Sequence, residues 1–359
     1  IVKIKIYFIS ISMKKELLFF SLIALISCKT HYKQDLIAVE KPNKNVLFTI
    51  AFGSCDNQII KNELWPAIDS NHPSVWIWGG DNVYSDTEDM EFLKNNYTIQ
   101  KEDSDYLTFI NNKTILGTWD DHDYGANDAG EEYRFKRESQ QILLNFLGTP
   151  MNAKERKRDG VYTTKTIVVN KNKVKIIVLD TRFFRTALTK GIGNKRFKPN
   201  EYGEGTLLGN EQWQWLESEL KSSDAQFNII VSSIQFLSNK HGFEAWANFP
   251  HEMEKLEKLI VFTKVKGAFI LSGDRHIATF SSKIVTGLSY PLIDFTSSGL
   301  THVYTSFSGE ENPFVKGDVV KDINFGLLKF DFENNKVIME IRGKENKLLQ
   351  EYVQFYPRK

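Results

Sequence analysis

From Val46 onward the chain alternates short apolar runs with amphipathic stretches, the pattern of an α/β domain in which strands feed into helices. Apolar runs predict strands at 46–52, 74–78, 114–119, 161–169, 174–179, 227–232, 268–271, 291–296, 326–332 and 336–341. Apolar residues at helical spacing predict helices at 131–147, 211–220 and 252–263. The last two strands, joined across Glu333-Asn334-Asn335, read as a hairpin. With no Pro/Gly/Ser linker to divide it, 45–359 is expected to be one domain.

The first residues have a different pattern. Lys14 and Lys15 precede an apolar run over 17–26, shorter than the roughly 20 residues a membrane span needs, so the segment reads as an export signal. The run ends Leu25-Ile26-Ser27-Cys28, which resembles the bacterial lipobox. That likeness implies a lipid on Cys28 and a membrane-held protein in the periplasm or at the cell surface; an ordinary secretory signal with an incidental cysteine is the other reading. Translation is expected to start at Met13, and the polar residues 29–44 are expected to be a tether.

The formal charge of +1, with both signs interspersed, provides no basic stripe for nucleic acid. Only Cys28 and Cys55 could form a disulfide, and each sits in a context suited to another task.

Four predicted strands end in clusters of ligand-type residues: Gly53-Ser54-Cys55-Asp56, Gly79-Gly80-Asp81-Asn82-Val83-Tyr84, Trp119-Asp120-Asp121-His122-Asp123 and Ser272-Gly273-Asp274-Arg275-His276. Loops at the carboxyl ends of strands in an open α/β sheet converge on one crevice, so the clusters are expected to form one site. Carboxylates, a thiol, a phenol and imidazoles suit two adjacent cations, which can neutralise phosphoryl oxygens and activate a hydroxide for in-line attack.

GSC at 53–55, GDNVYSD at 80–86, WDDHDYGAND at 119–128, LDTRFFR at 179–185, LGNEQWQWLESEL at 208–220, EAWANFPHE at 244–252 and LSGDRHIATF at 271–280 together resemble the alkaline phosphatase D (PhoD-like) family of metallophosphoesterases. The resemblance implies a four-layer fold, two mixed β-sheets packed face to face with helices outside, and hydrolysis of phosphate mono- or diesters. It implies metal ligation by Cys55, Asp81, Tyr84, Asp121, Asp274 and His276, with Asp81 bridging. Cys55, Tyr84 and His276 would favour a ferric ion, and Asp121 with Asp274 a second ion such as Ca²⁺; Zn²⁺ and Mn²⁺ stay open.

His122 is cast as the group that stabilises the phosphoryl oxygen or protonates the leaving alkoxide, or else as a histidine that orients a ligand. Asn127 could touch metal or phosphate. Arg182 offers a fork to phosphate or a buried ion pair with Asp180 or Asp81. Asp120 and Asp123 read as caps, and His241 and His302 as loop residues outside the ligand set. Substrate choice is assigned to loops 85–105 and 190–205. The family's frequent N-terminal β-sandwich has no counterpart in the residues before 45, and 351–359 resembles a last strand with a stub, so an open pocket is expected.

A monomer acting on small phosphate esters is the leading expectation. The alternatives are a binding lipoprotein on the same fold and an esterase directed to lipid headgroups or nucleotides.

Overall fold

The computed structural model describes residues 37–39 and 47–358, so the export signal, Cys28 and most of the expected tether lie outside the described residues. In chain order the first strands are β1 (Ile37–Val39), β2 (Phe48–Gly53), β3 (Val75–Gly79), β4 (Thr114–Thr118), β5 (Thr163–Val169) and β6 (Asn172–Val178). A small hairpin of β7 (Thr189–Lys190) and β8 (Phe197–Lys198) comes next, then β9 (Phe227–Val231), β10 (Ala268–Ser272), β11 (Ala278–Lys283) and β12 (Leu292–Ser297). The last are β13 (Val315–Val320), β14 (Phe325–Asp331), β15 (Lys336–Arg342) and β16 (Leu348–Phe355). The helices are α1 (Trp65–Asp69), α2 (Met90–Glu102), α3 (Ser104–Ile110), α4 (Asp121–Tyr124), α5 (Lys136–Phe146), α6 (Gly209–Lys221) and α7 (Pro250–Thr263).

The strands form two large mixed sheets, one in the order β1-β5-β6-β9-β10-β12-β11-β13 and the other β16-β15-β14-β2-β3-β4. Strand alternation explains how they stack. In β2 and β3, Ile50, Phe52, Val75 and Ile77 face Ile176, Ile229, Phe269 and Leu271 of the other sheet, forming the central core. Phe52 and Phe295 meet edge to face there with centroids 4.8 Å apart.

The alternate residues Ala51, Trp76 and Trp78 turn outward onto α1, α2, α3 and α5 through Trp65, Leu93, Phe109 and Leu143. On the far face, Ile177, Ile230 and Ile270 meet Leu216 of α6 and Leu256 of α7. Helix, sheet, sheet and helix therefore make four layers. Because the central parallel strands are covered on both faces, their sequences read as continuous apolar runs.

Several expectations change. The first part of 131–147 is turn, and α5 begins only at Lys136. Most of the expected substrate loop 85–105 is helix, since the Asp89 carboxylate caps α2 by accepting the Glu91 and Phe92 amides at 3.0 and 3.1 Å. Within the expected tether, Ile37–Val39 pairs in parallel with Ile167–Val169. Strands β11 and β13 were not predicted, because Ala-Thr-Phe-Ser-Ser-Lys and Val-Lys-Gly-Asp-Val-Val carry little apolar signal; partner strands supply what the sequence lacks.

Candidate metal centre

All four clusters lie where β2, β3, β4 and β10 deliver their carboxyl ends. Backbone hydrogen bonds tie the loops together: Cys55 N–H donates to Gly80 O at 3.3 Å, Asp56 N–H to Asp81 O at 2.9 Å, and Gly273 N–H to Ser233 O at 2.9 Å. Their approach is closer than a side chain permits at two points. A Cβ on Gly273 would lie 2.5 Å from Ser54 Oγ, and one on Gly80, where φ is +102°, would lie 2.7 Å from the Asp120 Cβ.

Cys55, Asp81, Asp274 and His276 adopt positive φ values of 61°, 50°, 71° and 53°. Left-handed backbone costs a non-glycine residue roughly 1–2 kcal/mol. Such concentrated strain marks a site whose side-chain directions are imposed by the surrounding loops.

Ligand-type atoms gather in three overlapping sets, Cys55 with Asp81 and His276, Asp81 with Asp121 and His122, and Asp120 with Asp121 and Asp274, each within 4.8 Å. Tyr84 joins the first set: its hydroxyl lies 3.2 Å from Asp81 Oδ2 and 3.1 Å from His276 Nε2. Cys55 Sγ is 3.6 Å from Asp81 Oδ2. Asp81 belongs to two of the sets and Asp121 to two, the arrangement neighbouring cations that share ligands would need.

The electrostatics favour cations here. Burial, reinforced by Asp81 and Asp274, pushes the Cys55 thiol well above its ordinary range. Burial and the neighbouring Asp121 likewise raise Asp81, and burial raises Asp274 to about 7. Burial and the nearby His302 lower His276 to about 3, leaving a neutral imidazole suited to ligation. A thiol, a phenol and carboxylates this close can ionise together only if positive charge joins them, so the donor set fits metal ions.

His122 lies beside this cluster with a different partner. Its Nδ1 is 2.6 Å from Asp86 Oδ2, and its ring sits over Tyr84 with centroids 4.4 Å apart. Burial alone would lower its pKa, but the Asp86 hydrogen bond and the charges of Asp81 and Asp121 carry it up to about 10. Asn127, at the exposed mouth, donates to Asp121 Oδ2 at 3.2 Å.

Arg182 corrects an expectation: no fork reaches toward phosphate. The side chain is fully buried, with Nε donating to Asp120 Oδ1 and Nη1 to Glu244 Oε2, both at 2.6 Å. Asp180 instead accepts the Arg182 and Phe183 amides and the Trp119 indole N–H, each at 2.9 Å. Asp123 caps as expected, accepting the Asp120 N–H at 2.7 Å, whereas the Asp120 carboxylate accepts from Arg182 and belongs to the set with Asp121 and Asp274. His302 lies closer to the centre than its loop position suggested, its ring 4.5 Å from His276 and 4.9 Å from Tyr84 between centroids.

The architecture is that of metal-dependent phosphatases. Over 87% of this chain it is similar to a solved structure of PhoD, with a TM-score of 0.68 and 18% identity across 69% of that chain. A dimetal phosphatase from Danio rerio matches 87% of this chain and 100% of its own at a TM-score of 0.51 and 9% identity. The family model for PhoD-like phosphatase matches residues 51–309, and the chain belongs to that family. A stretch of 116 residues is 31% identical to alkaline phosphatase D of Bacillus subtilis (strain 168). That stretch covers 29% of this chain and only 20% of the relative's length.

Proposed function

We propose that this chain is an exported, metal-dependent phosphoesterase that hydrolyses phosphate mono- or diesters and is held at a bacterial membrane by a lipid on Cys28. The observation that carries the hydrolytic reading is the buried and half-buried set of Cys55, Asp81, Tyr84, Asp121, Asp274 and His276 at the ends of converging strands, with Cys55, Asp81, Asp274 and His276 held at positive φ. Membership of the PhoD-like family and the phosphatase names of its relatives support it.

Asp81 would be shared between cations. Cys55, Tyr84 and His276 suit a ferric ion, and Asp121 and Asp274, with Asp120 beside them, suit Ca²⁺ or another divalent ion such as Zn²⁺ or Mn²⁺. Bound cations supply Lewis acidity and lower the pKa of water. The protein's own groups do the rest. His122, fixed through Nδ1 by Asp86, presents Nε2 as a proton donor to the departing ester oxygen. Arg182 stays behind Asp120 and holds that carboxylate in place.

Elemental analysis of the purified protein, paired with hydrolysis of bis(p-nitrophenyl) phosphate and p-nitrophenyl phosphate, tests this reading. Asp81→Asn should remove metal and at least 99% of turnover, roughly the loss expected when a catalytic ion goes; normal stoichiometry with normal turnover would overturn the assignment. The anchor rests on the apolar run 17–26 and the Leu25-Ile26-Ser27-Cys28 sequence. Cys28→Ala should move the protein from the membrane to the soluble fraction with its activity kept, and a variant that still sediments with membranes would remove Cys28 as the attachment point.

A further inference from the structure

The end of β12 brings a fifth segment to the metal centre. Strand β12 runs parallel to β10, with Ile270 opposite Asp294 and Ser272 opposite Thr296, so Ser298-Gly299-Leu300-Thr301-His302 emerges beside the loop that carries Asp274 and His276. Main-chain bonds stitch this segment to the ligand loops on both sides. Leu300 N–H donates to Ser54 O at 3.2 Å and Thr301 N–H to Cys55 O at 3.4 Å, while Tyr304 N–H donates to His276 O at 2.8 Å. His302 sits between these anchors, so the backbone holds it at the centre.

Its imidazole is half-buried against two residues of the candidate ligand set, edge-on to His276 with centroids 4.5 Å apart and edge-on to Tyr84 at 4.9 Å. His302 nonetheless belongs to none of the three sets of ligand-type atoms that lie within 4.8 Å of one another. It borders the donors that would hold a cation without joining them.

One ring nitrogen is already engaged. Thr301 Oγ1 accepts the Asn57 N–H at 2.8 Å and lies 3.1 Å from His302 Nδ1 and 3.3 Å from Cys55 O. Cys55 O already takes the Thr301 N–H, so the hydroxyl proton is assigned to the nearer Nδ1, which leaves the ring proton on Nε2. Among the described residues Nε2 has no hydrogen-bond partner, and it is not sealed from solvent. An oriented N–H donor therefore opens on the space beside the ligands.

A ring placed only to fill space needs no hydroxyl to fix its nitrogen. Phosphoryl oxygens drawn to cations at this centre would meet the open N–H, and a hydrogen bond to such an oxygen is charge-assisted. We propose that His302 is a substrate-binding residue whose Nε2–H donates to a non-bridging oxygen of the scissile phosphate. This rests on the phosphoesterase reading and deepens it by dividing the work of two imidazoles that touch the same Tyr84 ring. His122 serves the departing ester oxygen, and His302 serves an oxygen that stays on phosphorus.

The test uses the full-chain protein loaded with metal, and measures inorganic phosphate binding by calorimetry, metal content by elemental analysis and kcat/KM for p-nitrophenyl phosphate. His302→Phe keeps a ring against Tyr84 and His276 and removes both nitrogens. It should weaken phosphate binding roughly 10–100-fold, the range of one hydrogen bond to a charged group, and lower kcat/KM by a similar factor with metal content unchanged. His302→Gln returns an N–H near the Nε2 position and should recover both several-fold. Phosphate affinity that His302→Phe leaves alone overturns the proposal, and so does loss of metal in both variants, which would make His302 a support of the ligand set.

Should the wild type bind phosphate yet hydrolyse no ester, the phosphoesterase reading fails by itself, and calorimetry decides the contact. Weaker binding in His302→Phe with recovery in His302→Gln supports it; equal binding, or a wild type with no affinity for phosphate, overturns it.

Discussion

His122 and Asp86 are 36 positions apart in sequence, yet their side chains share a hydrogen bond of 2.6 Å at the centre. Asp86 can reach because its φ is +43° and because the Ser85 and Asp86 amides both donate to the His122 carbonyl, at 3.1 and 3.3 Å. Its carboxylate holds the protonated ring in one orientation. Asp86→Asn should therefore lower kcat by roughly 10–100-fold, the range for losing a partner that orients an active-site histidine, with metal content unchanged. Steady-state kinetics with elemental analysis checks both halves, and loss of metal instead would make Asp86 a support of the ligand set.

At this scale the sequence was informative for some residues and silent for others. Cys55, Asp81, Tyr84, Asp274 and His276 could be named because they follow strand ends in compact motifs. Asp86 sat inside one of those motifs without a visible role, since the backbone reversal that aims it has no local residue signature. Arg182 was ambiguous for the same reason: an arginine after a strand can face solvent or turn inward, and only the placement of Asp120 and Glu244 decides.

Among the elements, α6 and α7 show how a polar residue can bind apolar layers. Glu252, in the first turn of α7, accepts the Leu207 and Leu208 amides at 2.7 and 3.1 Å, the Trp213 indole N–H at 2.9 Å and the Thr206 hydroxyl at 2.7 Å. It thereby joins the start of α6 to the start of α7 and satisfies donors that would otherwise be buried unpaired. Glu252→Ala should destabilise the fold by about 3 kcal/mol, since several donors lose their acceptor together. A urea titration would register this as a lower midpoint at unchanged slope. A shift below about 0.5 kcal/mol would mean that water replaces the carboxylate.

Both helices were visible from their apolar spacing, because a surface helix writes its buried face into its own sequence. Helix α2 was not, with buried Asn96, Tyr97 and Gln100 on its inner face in place of an apolar stripe. Gln100 bonds Asp56 at 2.8 Å and Tyr97 bonds Asp123 at 2.7 Å, so this helix is held by polar groups behind the metal centre.

For the whole molecule, the cluster of buried acids is a source of instability that bound cations would relieve. Chelation should lower the melting temperature by roughly 4–6 °C, from about 3–4 kcal/mol of ligand stabilisation and about 1.5 °C per kcal/mol in a protein of this size. Calorimetry before chelation, after it and after metal is returned measures the effect. A melting temperature indifferent to all three would mean that the acids are accommodated without metal.

The α/β character, most central strands, two long helices and the motifs of the centre were determined by the sequence alone, because alternation, helical spacing and ligand-bearing strand ends are short-range signals. Tertiary structure decided the rest. The polar strands β11 and β13 take their conformation from neighbours, Arg182 turns inward because two acids from distant segments meet it, and Asp86 and His302 gain their meaning from loops that only the packed sheets bring together. Those partnerships span long stretches of chain, and their geometry depends on where four layers place the loop ends, which no local pattern encodes.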